Sequence, residues 1–389
     1  MDKPVSRSRA WIVLLLLSGL VIHDFIKIES FKIGIVTITY LRIILVVTIP
    51  CLVFPKFKLF FKDKFAVVFF LFMLYGLMRI EGNLKQAFAL YCTLIAFFFL
   101  YVSIENTSLV RRCINALATF FIAFCILGDV EIATGYHFRE TFLSAGVDNV
   151  SRFAAGNYYN PNDFSAFLTV LFFYMMLSSY QWGVKVFFII NALVIITINK
   201  SQICLLGILS FMLIAFIMKN RVNRTLRFVV TGMFGLAMIG PVYSMVQDSS
   251  LNTRAYMYKY GIQNCISHFW LGTGIGNYAK GMEEVGFTPY FGASADPHNL
   301  LLELIGQFGV VWGVLFVVLV IVLIVYFFKR IDIPGYLYCF GLVYIIPFVG
   351  LASSSCMEKN YIYLALLIPL FNWRRCKNRE KLINSLDFL

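Results

Sequence analysis

The chain has 389 residues, of which 60% are hydrophobic and 14% charged, with a formal net charge of +13. A soluble domain carries about 25% charged residues, so this composition excludes a soluble globule. Apolar runs recur from end to end, which predicts an all-α polytopic membrane protein of about twelve transmembrane helices in one integral membrane domain, residues 1–389. The basic residues lie in short clusters between these runs, so membrane topology explains the charge better than nucleic-acid binding.

Twelve apolar runs approach the roughly 20 residues that a spanning helix needs. In chain order they are Ala10–Val21, Ile33–Phe54, Phe65–Ile80, Ala87–Ser103, Ile114–Ile132, Phe164–Tyr180, Trp182–Ile198, Ile203–Met218, Phe228–Val246, Val310–Phe328, Tyr336–Ala352 and Tyr361–Trp373. The first run resembles a signal peptide, but no small-residue cleavage site follows it, so we interpret it as an anchor. Arg42 lies in the middle of the second run, where it either has a function or simply faces the bundle interior.

The basic residues predict the orientation of the spans. With the N-terminus inside, the inner segments hold 21 of the 33 Lys and Arg residues, in short loops or at span edges. Cytoplasmic loops are enriched in Lys and Arg. We therefore expect both termini to be cytoplasmic.

Two outer segments are longer than turns, from Ala133 to Asp163 and from Gln247 to Asn299. Loops beyond roughly 15 residues are usually functional or disordered, and the Tyr, Phe, Trp and Gly in these two argue against disorder. We expect the second to be the main loop, with short helices and the catalytic elements. All four His fall in outer segments: His23, His137, His268 and His298.

The strongest local pattern is Asp296-Pro297-His298-Asn299 ahead of an apolar stretch. Asp is favoured as an N-cap and Pro as the first helical residue, which predicts a helix with His298 in its first turn. The free backbone N–H groups there favour a neutral imidazole and a bound anion such as phosphate. A capping or interfacial His is the alternative interpretation.

A second stretch, Tyr158-Tyr159-Asn160-Pro161-Asn162-Asp163, has the same pattern, with Asn160 as the cap and Pro161 as the first helical residue. Arg152 stands just ahead of it, and Arg254 stands early in the main loop. The planar guanidinium of Arg can donate two parallel hydrogen bonds to the oxygens of a diphosphate. For any single Arg, a solvent or lipid-headgroup contact is the alternative.

Three further patterns in the sequence are weaker. Gly272-Thr273-Gly274-Ile275-Gly276 is G-x-G-x-G, not the nucleotide-binding G-x-G-x-x-G, so it predicts tight turns that return the loop to the membrane. Asp129 and Glu131 lack a third ligand at suitable spacing, so no metal site is predicted. Lys200 marks a short outer turn between two spans and can add positive charge near the site.

Five segments between Glu131 and Gly313 resemble, in order, the O-antigen polymerase and O-antigen ligase superfamily. Glu131-Ile132-Ala133-Thr134-Gly135-x-His137 is similar to the start of the family's first long outer loop. Arg152-x-x-x-Gly156, leading to Asn160-Pro161-Asn162, resembles its Arg/Gly/Asn-Pro-Asn stretch.

The other three segments follow later in the chain. Ser201 matches the Ser of a Ser-Arg turn, with Gln202 in place of Arg. Arg254 with Ser267–Gly274 resembles an Arg…Pro-Leu-Leu-Gly-x-Gly stretch, with Phe-Trp where Pro is usual. His298-Asn299-x-x-Leu302 through Gly313 resembles the family's His-Asn signature.

The resemblance implies an inverting glycosyltransferase that polymerises undecaprenyl-diphosphate-linked repeat units into O-antigen or capsular polysaccharide at the periplasmic face of the inner membrane. His298 would accept the proton of the attacking sugar hydroxyl. Arg152 and Arg254 would stabilise the diphosphate leaving group, with no metal or cofactor. The expected substrate-binding residues are Asn160, Asn162, Asn299, Lys200, His137 and Tyr159.

The implied partners are undecaprenyl-diphosphate-linked glycans, membrane lipids, a chain-length regulator and a flippase, but no nucleic acid. One alternative is an O-antigen ligase that moves finished polymer to lipid A–core, although the Thr-Gly-x-His and Asn-Pro-Asn-Asp segments favour the polymerase. A glycosyltransferase of the lipid-phosphate-sugar type, with Asp24 as base, is another. A polysaccharide transporter or flippase is the third, but transporters usually carry polar residues at mid-membrane.

Overall fold

The computed structural model describes residues 7–22, 27–33, 36–53, 63–79, 84–104, 106–137, 153–156, 158, 160–218, 249–288, 298–352, 357 and 359–376. In these ranges the chain forms a bundle of α-helices and one pair of short strands. The elements before the first long outer segment are α1 (Arg7–Ile22), β1 (Lys27–Ile33), β2 (Val36–Thr39), α2 (Tyr40–Val53), α3 (Lys64–Leu77), α4 (Leu84–Ser103) and α5 (Thr107–Thr134). Those after it are α6 (Pro161–Leu177), α7 (Trp182–Ile198), α8 (Gln202–Met218), α9 (Ser249–Ser267), α10 (Tyr278–Glu284), α11 (Leu300–Phe308), α12 (Val310–Phe328), α13 (Pro334–Tyr344), α14 (Ile346–Ala352) and α15 (Asn360–Cys376).

The helices agree with a polytopic membrane protein. Among the described residues, four segments are long and apolar enough to cross a membrane: Gln86–Ser103, Thr107–Thr134, Val310–Phe328 and Gly335–Ala352. Shorter apolar helices of 10–17 residues are Tyr40–Cys51, Lys64–Leu77, Pro161–Leu177, Trp182–Ile198 and Gln202–Met218. The run Phe228–Val246 lies outside the described residues. The count of twelve spans therefore stays a prediction.

The second apolar run is not one helix, and the prediction there was wrong. Lys27–Ile33 and Val36–Thr39 pair as antiparallel strands, and α2 begins only at Tyr40. Val-Thr-Ile-Thr is a run of β-branched residues, whose stiff side chains favour strands. Arg42 is consequently the third residue of α2 and not a mid-span charge, and its guanidinium carbon lies 4.8 Å from the centre of the Phe88 ring.

The run Tyr336–Ala352 is also divided. Helix α13 ends at Tyr344 and α14 begins at Ile346. Pro347 explains the interruption, because proline has no backbone N–H, clashes with the carbonyl four residues earlier and disfavours helical geometry in the residue before it.

Helix α6 is the centre of the bundle. Every residue from Asp163 to Met175 is buried, and the helix packs against α5, α7, α8, α13, α14 and α15. A helix that is apolar on all sides is expected to be enclosed. Helix α12 differs, because only 22% of its apolar stretch is buried inside the bundle. Most of its apolar surface is therefore available to lipid.

The two ends of the bundle carry different polar clusters. At one end, the Tyr101 hydroxyl donates to Asp63 at 2.7 Å and an Arg374 nitrogen lies 3.5 Å from the same carboxylate oxygen, joining α3, α4 and α15. The opposite end, called the site end, holds the last turns of α5 and α7 and the first turns of α6, α11 and α15. The described parts of both long outer segments lie at the site end.

Candidate functional site at one end of the bundle

Helix α6 begins where the sequence predicts. Asn160 is the N-cap, and its side chain accepts a hydrogen bond from the Asn162 N–H at 2.9 Å, with Pro161 as the first helical residue. The cap and the fixed φ of proline both favour a helix start here. Tyr159 lies outside the described residues.

A buried carboxylate fixes the segment that leads into α6. Glu131, near the end of α5, is fully buried, and its Oε2 accepts from the N–H groups of Ala155 and Gly156, both at 2.7 Å. Gly156 has φ +57°, and a Cβ there would lie 2.6 Å from the Phe164 ring, so only glycine fits. Glu131 therefore serves as a peptide acceptor, whereas Asp129 accepts from Asn191.

Asn199 holds the same segment from the end of α7. Its Oδ1 accepts from the Ala154 N–H at 2.9 Å, and its Nδ2 donates to the Ala154 carbonyl at 2.8 Å and to the Ser165 hydroxyl at 3.0 Å. The next residue, Lys200, is exposed and has φ +55°. The structure thus places the Lys200 turn beside the start of α6.

His137 lies close to Glu131. Its Nδ1 is 3.8 Å from Glu131 Oε1, and its ring stacks on Phe153 with centroids 4.3 Å apart. The imidazole, whose side chain is 10% exposed, therefore lies between a carboxylate on one side and an aromatic ring on the other. Arg152, the neighbour of Phe153, lies outside the described residues.

Glu131→Ala is expected to disrupt the entry to α6 and to lower activity sharply. The change leaves two buried N–H groups without an acceptor, at a cost of about 1–3 kcal/mol each. Gln should restore much of the loss, because its amide oxygen can still accept. Thermal unfolding and activity should be compared with the matched change Asp129→Ala, two residues earlier on the exposed face. Equal effects of the two alanine variants would contradict this role.

The helix after His298 begins later than the sequence predicts. Asn299 is its N-cap, with a side chain that accepts from Leu301 at 3.0 Å and Leu302 at 3.1 Å. His298 precedes the cap with φ +45°, so its prediction as a first-turn residue was wrong. Asn and Asp are equally favoured as N-caps, and the helix begins at Asn299, the candidate cap nearer the apolar stretch. Asp296 lies outside the described residues.

Helix α9 brings Arg254 and His298 to the same part of the site. Arg254 is half-buried, and its Nη1 donates to the Leu351 carbonyl at 3.3 Å. One turn later, the Tyr258 hydroxyl donates to the His298 carbonyl at 3.4 Å. Residues four apart lie on one helix face. Arg254 and the tyrosine that contacts the His298 backbone therefore lie on one face of α9.

The glycine-rich stretch forms the tight turns that the sequence predicts. Gly272, Gly274 and Gly276 have φ of +85°, +87° and +77°. The Thr273 N–H donates to the Gly306 carbonyl at 2.7 Å, and the Gly274 N–H donates to the Gln307 carbonyl at 3.1 Å. These bonds dock the main loop onto α11.

Gly274→Ala is expected to undock the main loop. A residue other than glycine in this left-handed backbone conformation loses about 1–3 kcal/mol of stability. In addition, a Cβ at position 274 would overlap the carbonyl oxygen of Arg79. Gly286 is the matched control, because its φ is +86° but a Cβ there would meet nothing within 4 Å. Gly286→Ala should retain activity with a small loss of thermal stability, whereas Gly274→Ala should lose both. Indistinguishable variants would exclude close packing as the reason for this glycine.

A short connector between α14 and α15 joins the starts of α6 and α11. We call Met357, Lys359 and Asn360 the strap. The Met357 N–H donates to the Glu303 carboxylate in α11, at 3.2 and 3.3 Å. Lys359 Nζ lies 3.6 Å from Asp163 Oδ2 in the first turn of α6. Both carboxylates are at least 97% buried.

The strap is also fixed at its second end. The Tyr158 hydroxyl donates to Asn360 Oδ1 at 2.9 Å, and Asn360 Nδ2 donates to the Leu20 carbonyl at the end of α1 at 2.7 Å. The sequence patterns do not predict the strap, because its partners lie far away in sequence. The acidic residues Asp163 and Glu303, in the first turns of otherwise apolar helices, were the available signal.

Two apolar cavities meet at the start of α11. The first, of about 370 Å³, is lined at the site end by Leu300, Leu304 and Met357 and reaches Lys64 and Trp373 near the opposite end. The second, of about 330 Å³, is lined at the site end by Asn299, Leu300 and Leu351. Phe316 of α12 contributes to both, so α12 separates them.

Comparison with known proteins agrees with the sequence motifs. A family model described as O-Antigen ligase matches residues 164–317, a range that includes Arg254 and His298. The chain resembles the O-antigen ligase and polymerase superfamily. The teichuronic acid biosynthesis protein TuaE of Bacillus subtilis (strain 168) is 22% identical over 352 aligned residues, covering 79% of this chain and 72% of that protein. Both matches support a membrane enzyme of polysaccharide biosynthesis, of the ligase and polymerase class.

Within the described residues, no group of three or more His, Cys, Asp or Glu side chains could hold a metal ion, and metal independence stays a prediction. In the main loop, burial raises the pKa of the Cys265 thiol to about 11. That thiol is protonated at neutral pH and is a poor nucleophile.

Proposed function

We propose that the protein polymerises undecaprenyl-diphosphate-linked repeat units into O-antigen or capsular polysaccharide. The observation that carries the proposal is the meeting of two apolar cavities at Leu300, directly after the Asn299 cap. A polymerase joins two lipid-linked substrates, so it needs space for two lipid tails with their head groups side by side. The two cavities flank α12, which supports such an arrangement.

The proposed reaction is an inverting transfer. The acceptor sugar hydroxyl attacks the anomeric carbon of the donor, the bond from that carbon to the phosphate oxygen breaks, and the diphosphate leaves. His298 accepts the hydroxyl proton. Arg254 and Arg152, with the N-termini of α6 and α11, stabilise the leaving negative charge.

The remaining residues bind substrate in this proposal. Asn160, Asn162 and Asn299 lie at the two helix starts and offer amide groups to sugar hydroxyls. Lys200 adds positive charge. His137 and Tyr159 contact sugars, a role that suits flat side chains with a polar edge.

The specific observation in favour of a ligase is the description of the matching family, O-Antigen ligase. The name of the TuaE relative instead supports synthesis of a polysaccharide. A transporter fits less well, because the buried carboxylates Glu131, Asp163 and Glu303 of the described chain lie in the terminal turns of their helices and not midway along them. A chain-length regulator and a flippase are proposed partners.

The site end is proposed to face the periplasm, with both termini in the cytoplasm of a bacterium. A Cys introduced at Glu284, whose side chain is 49% exposed, should react with a membrane-impermeant thiol reagent in cells whose outer membrane has been made permeable. A Cys at Asp148 should do the same, whereas Cys at Arg224 or Arg379 should react only after lysis. Labelling of the Arg224 position in intact cells would reverse the orientation.

The glycans of a deletion strain test the reaction type. Loss of the polymerase should leave a single repeat unit attached to the lipid A–core, or a single lipid-linked repeat where the polymer is capsular. Accumulation of long, unattached polymer would instead identify a ligase. Complementation with the intact gene should restore the ladder of chain lengths.

A further inference from the structure

The strap carries a charge that the proposed mechanism does not use. Lys359 and Asp163 form an ion pair whose side chains are 17% and 2% exposed. Taking two charges out of water is costly, so a buried ion pair is weak evidence for stability. The carboxylate is enclosed at the start of α6, while the ammonium is the more accessible partner.

The ion pair fixes the direction of the Lys359 side chain. Its Nζ is 3.6 Å from Asp163 Oδ2 and 5.7 Å from the centre of the Tyr158 ring. This distance to the carboxylate exceeds the roughly 2.7–2.9 Å of a tight charge-assisted hydrogen bond. The ammonium is therefore held by charge beside the start of α6.

The first cavity ends at the strap. Met357, two residues before Lys359, lines this cavity together with Leu300 and Leu304, and its N–H binds Glu303. In the proposed orientation, a lipid tail in this cavity would place its head group beside the strap. An ammonium is a suitable partner for a phosphate oxygen.

We propose that Lys359 is a further substrate-binding residue, whose ammonium binds a phosphate of the lipid-linked substrate while Asp163 positions it. The inference rests on the proposed function for the identity of the substrate. Two consequences follow. Lys359→Met should weaken binding of the lipid diphosphate, and Lys359→Arg should retain most of it.

The test measures binding and turnover separately in the purified full chain in lipid nanodiscs. Binding of undecaprenyl diphosphate alone is titrated first, and then KM and kcat for a lipid-linked repeat unit. Lys359→Met should raise Kd and KM by roughly ten- to a hundredfold, the range of one charge-assisted hydrogen bond, with a smaller effect on kcat. Lys280→Met, which breaks the exposed Lys280–Glu284 pair, is the control and should change neither.

The double variant Asp163→Asn with Lys359→Met distinguishes a phosphate-binding Lys359 from one that only pairs with Asp163. Because this variant has no unpaired buried charge, a purely structural ion pair predicts that its affinity recovers relative to Lys359→Met. Such a recovery would overturn the proposal. The proposal predicts that affinity stays as low as in Lys359→Met. The binding arm is independent of polymerisation: wild-type binding that depends on Lys359, without chain extension, would reject the proposed function and support this inference.

Discussion

Replacing His298 by Gln is expected to abolish polymer formation, with the protein folded and inserted. Gln keeps a polar side chain but cannot accept the hydroxyl proton at neutral pH, and loss of a general base lowers a rate by about 10²–10⁴-fold. His298→Ala should fail equally. The measurement is the ladder of chain lengths, together with the amount of protein in the membrane.

A second control variant tests the backbone conformation at His298. Its φ of +45° is a conformation that Asn adopts more readily than most residues. His298→Asn should therefore preserve the loop and still make no polymer. His268→Gln should be active, because His268 is bonded to the Asn264 carbonyl at 2.9 Å within α9 and its turn. Near-normal polymer from His298→Gln would reject His298 as the base and direct the search to Glu283, Glu284, Asp296 and His268.

Arg254→Ala is expected to reduce chain extension by roughly ten- to a hundredfold, the value of one charge-assisted hydrogen bond of about 1.5–3 kcal/mol in the transition state. Arg254→Lys should rescue partly, because Lys lacks the two-pronged fork. Lys259→Ala is the matched control, since Lys259 is an exposed cation on the same helix. Initial rates with a lipid-linked repeat unit should separate the three variants.

Arg152 is the second arginine that is expected to stabilise the diphosphate leaving group. It lies outside the described residues, so its role depends on the sequence pattern alone. Arg152→Ala should also reduce chain extension with normal protein levels. Normal ladders from both alanine variants would mean that these Arg residues contact lipid head groups and that other groups bind the diphosphate.

Local patterns predicted the elements that depend on local physics. The helices Trp182–Ile198 and Val310–Phe328 coincide with their apolar runs, because an uninterrupted apolar stretch of this length has few other stable states. The Asn160 cap was correct for a similar reason, since Pro161 can start a helix but not continue one.

Other parts of the fold required information that no short pattern contains. The composition of Val36–Thr39 is compatible both with a membrane-spanning helix and with a β-strand. The strand forms because this stretch pairs with Lys27–Ile33. Asp296 and Asn299 are both good caps, and position alone could not choose between them. The contact of Lys359 with Asp163 joins residues almost 200 positions apart, so its existence depends on how the whole bundle packs.

Reconstitution with one defined substrate tests the central claim most directly. The purified protein, in nanodiscs and with a chelator present, would receive only undecaprenyl-diphosphate-linked single repeat units. A polymerase whose leaving-group charge is stabilised by Arg side chains and helix N-termini should produce a ladder of lipid-linked chains. No elongation until a lipid A–core acceptor is added, or activity that returns only with added magnesium, would contradict the account.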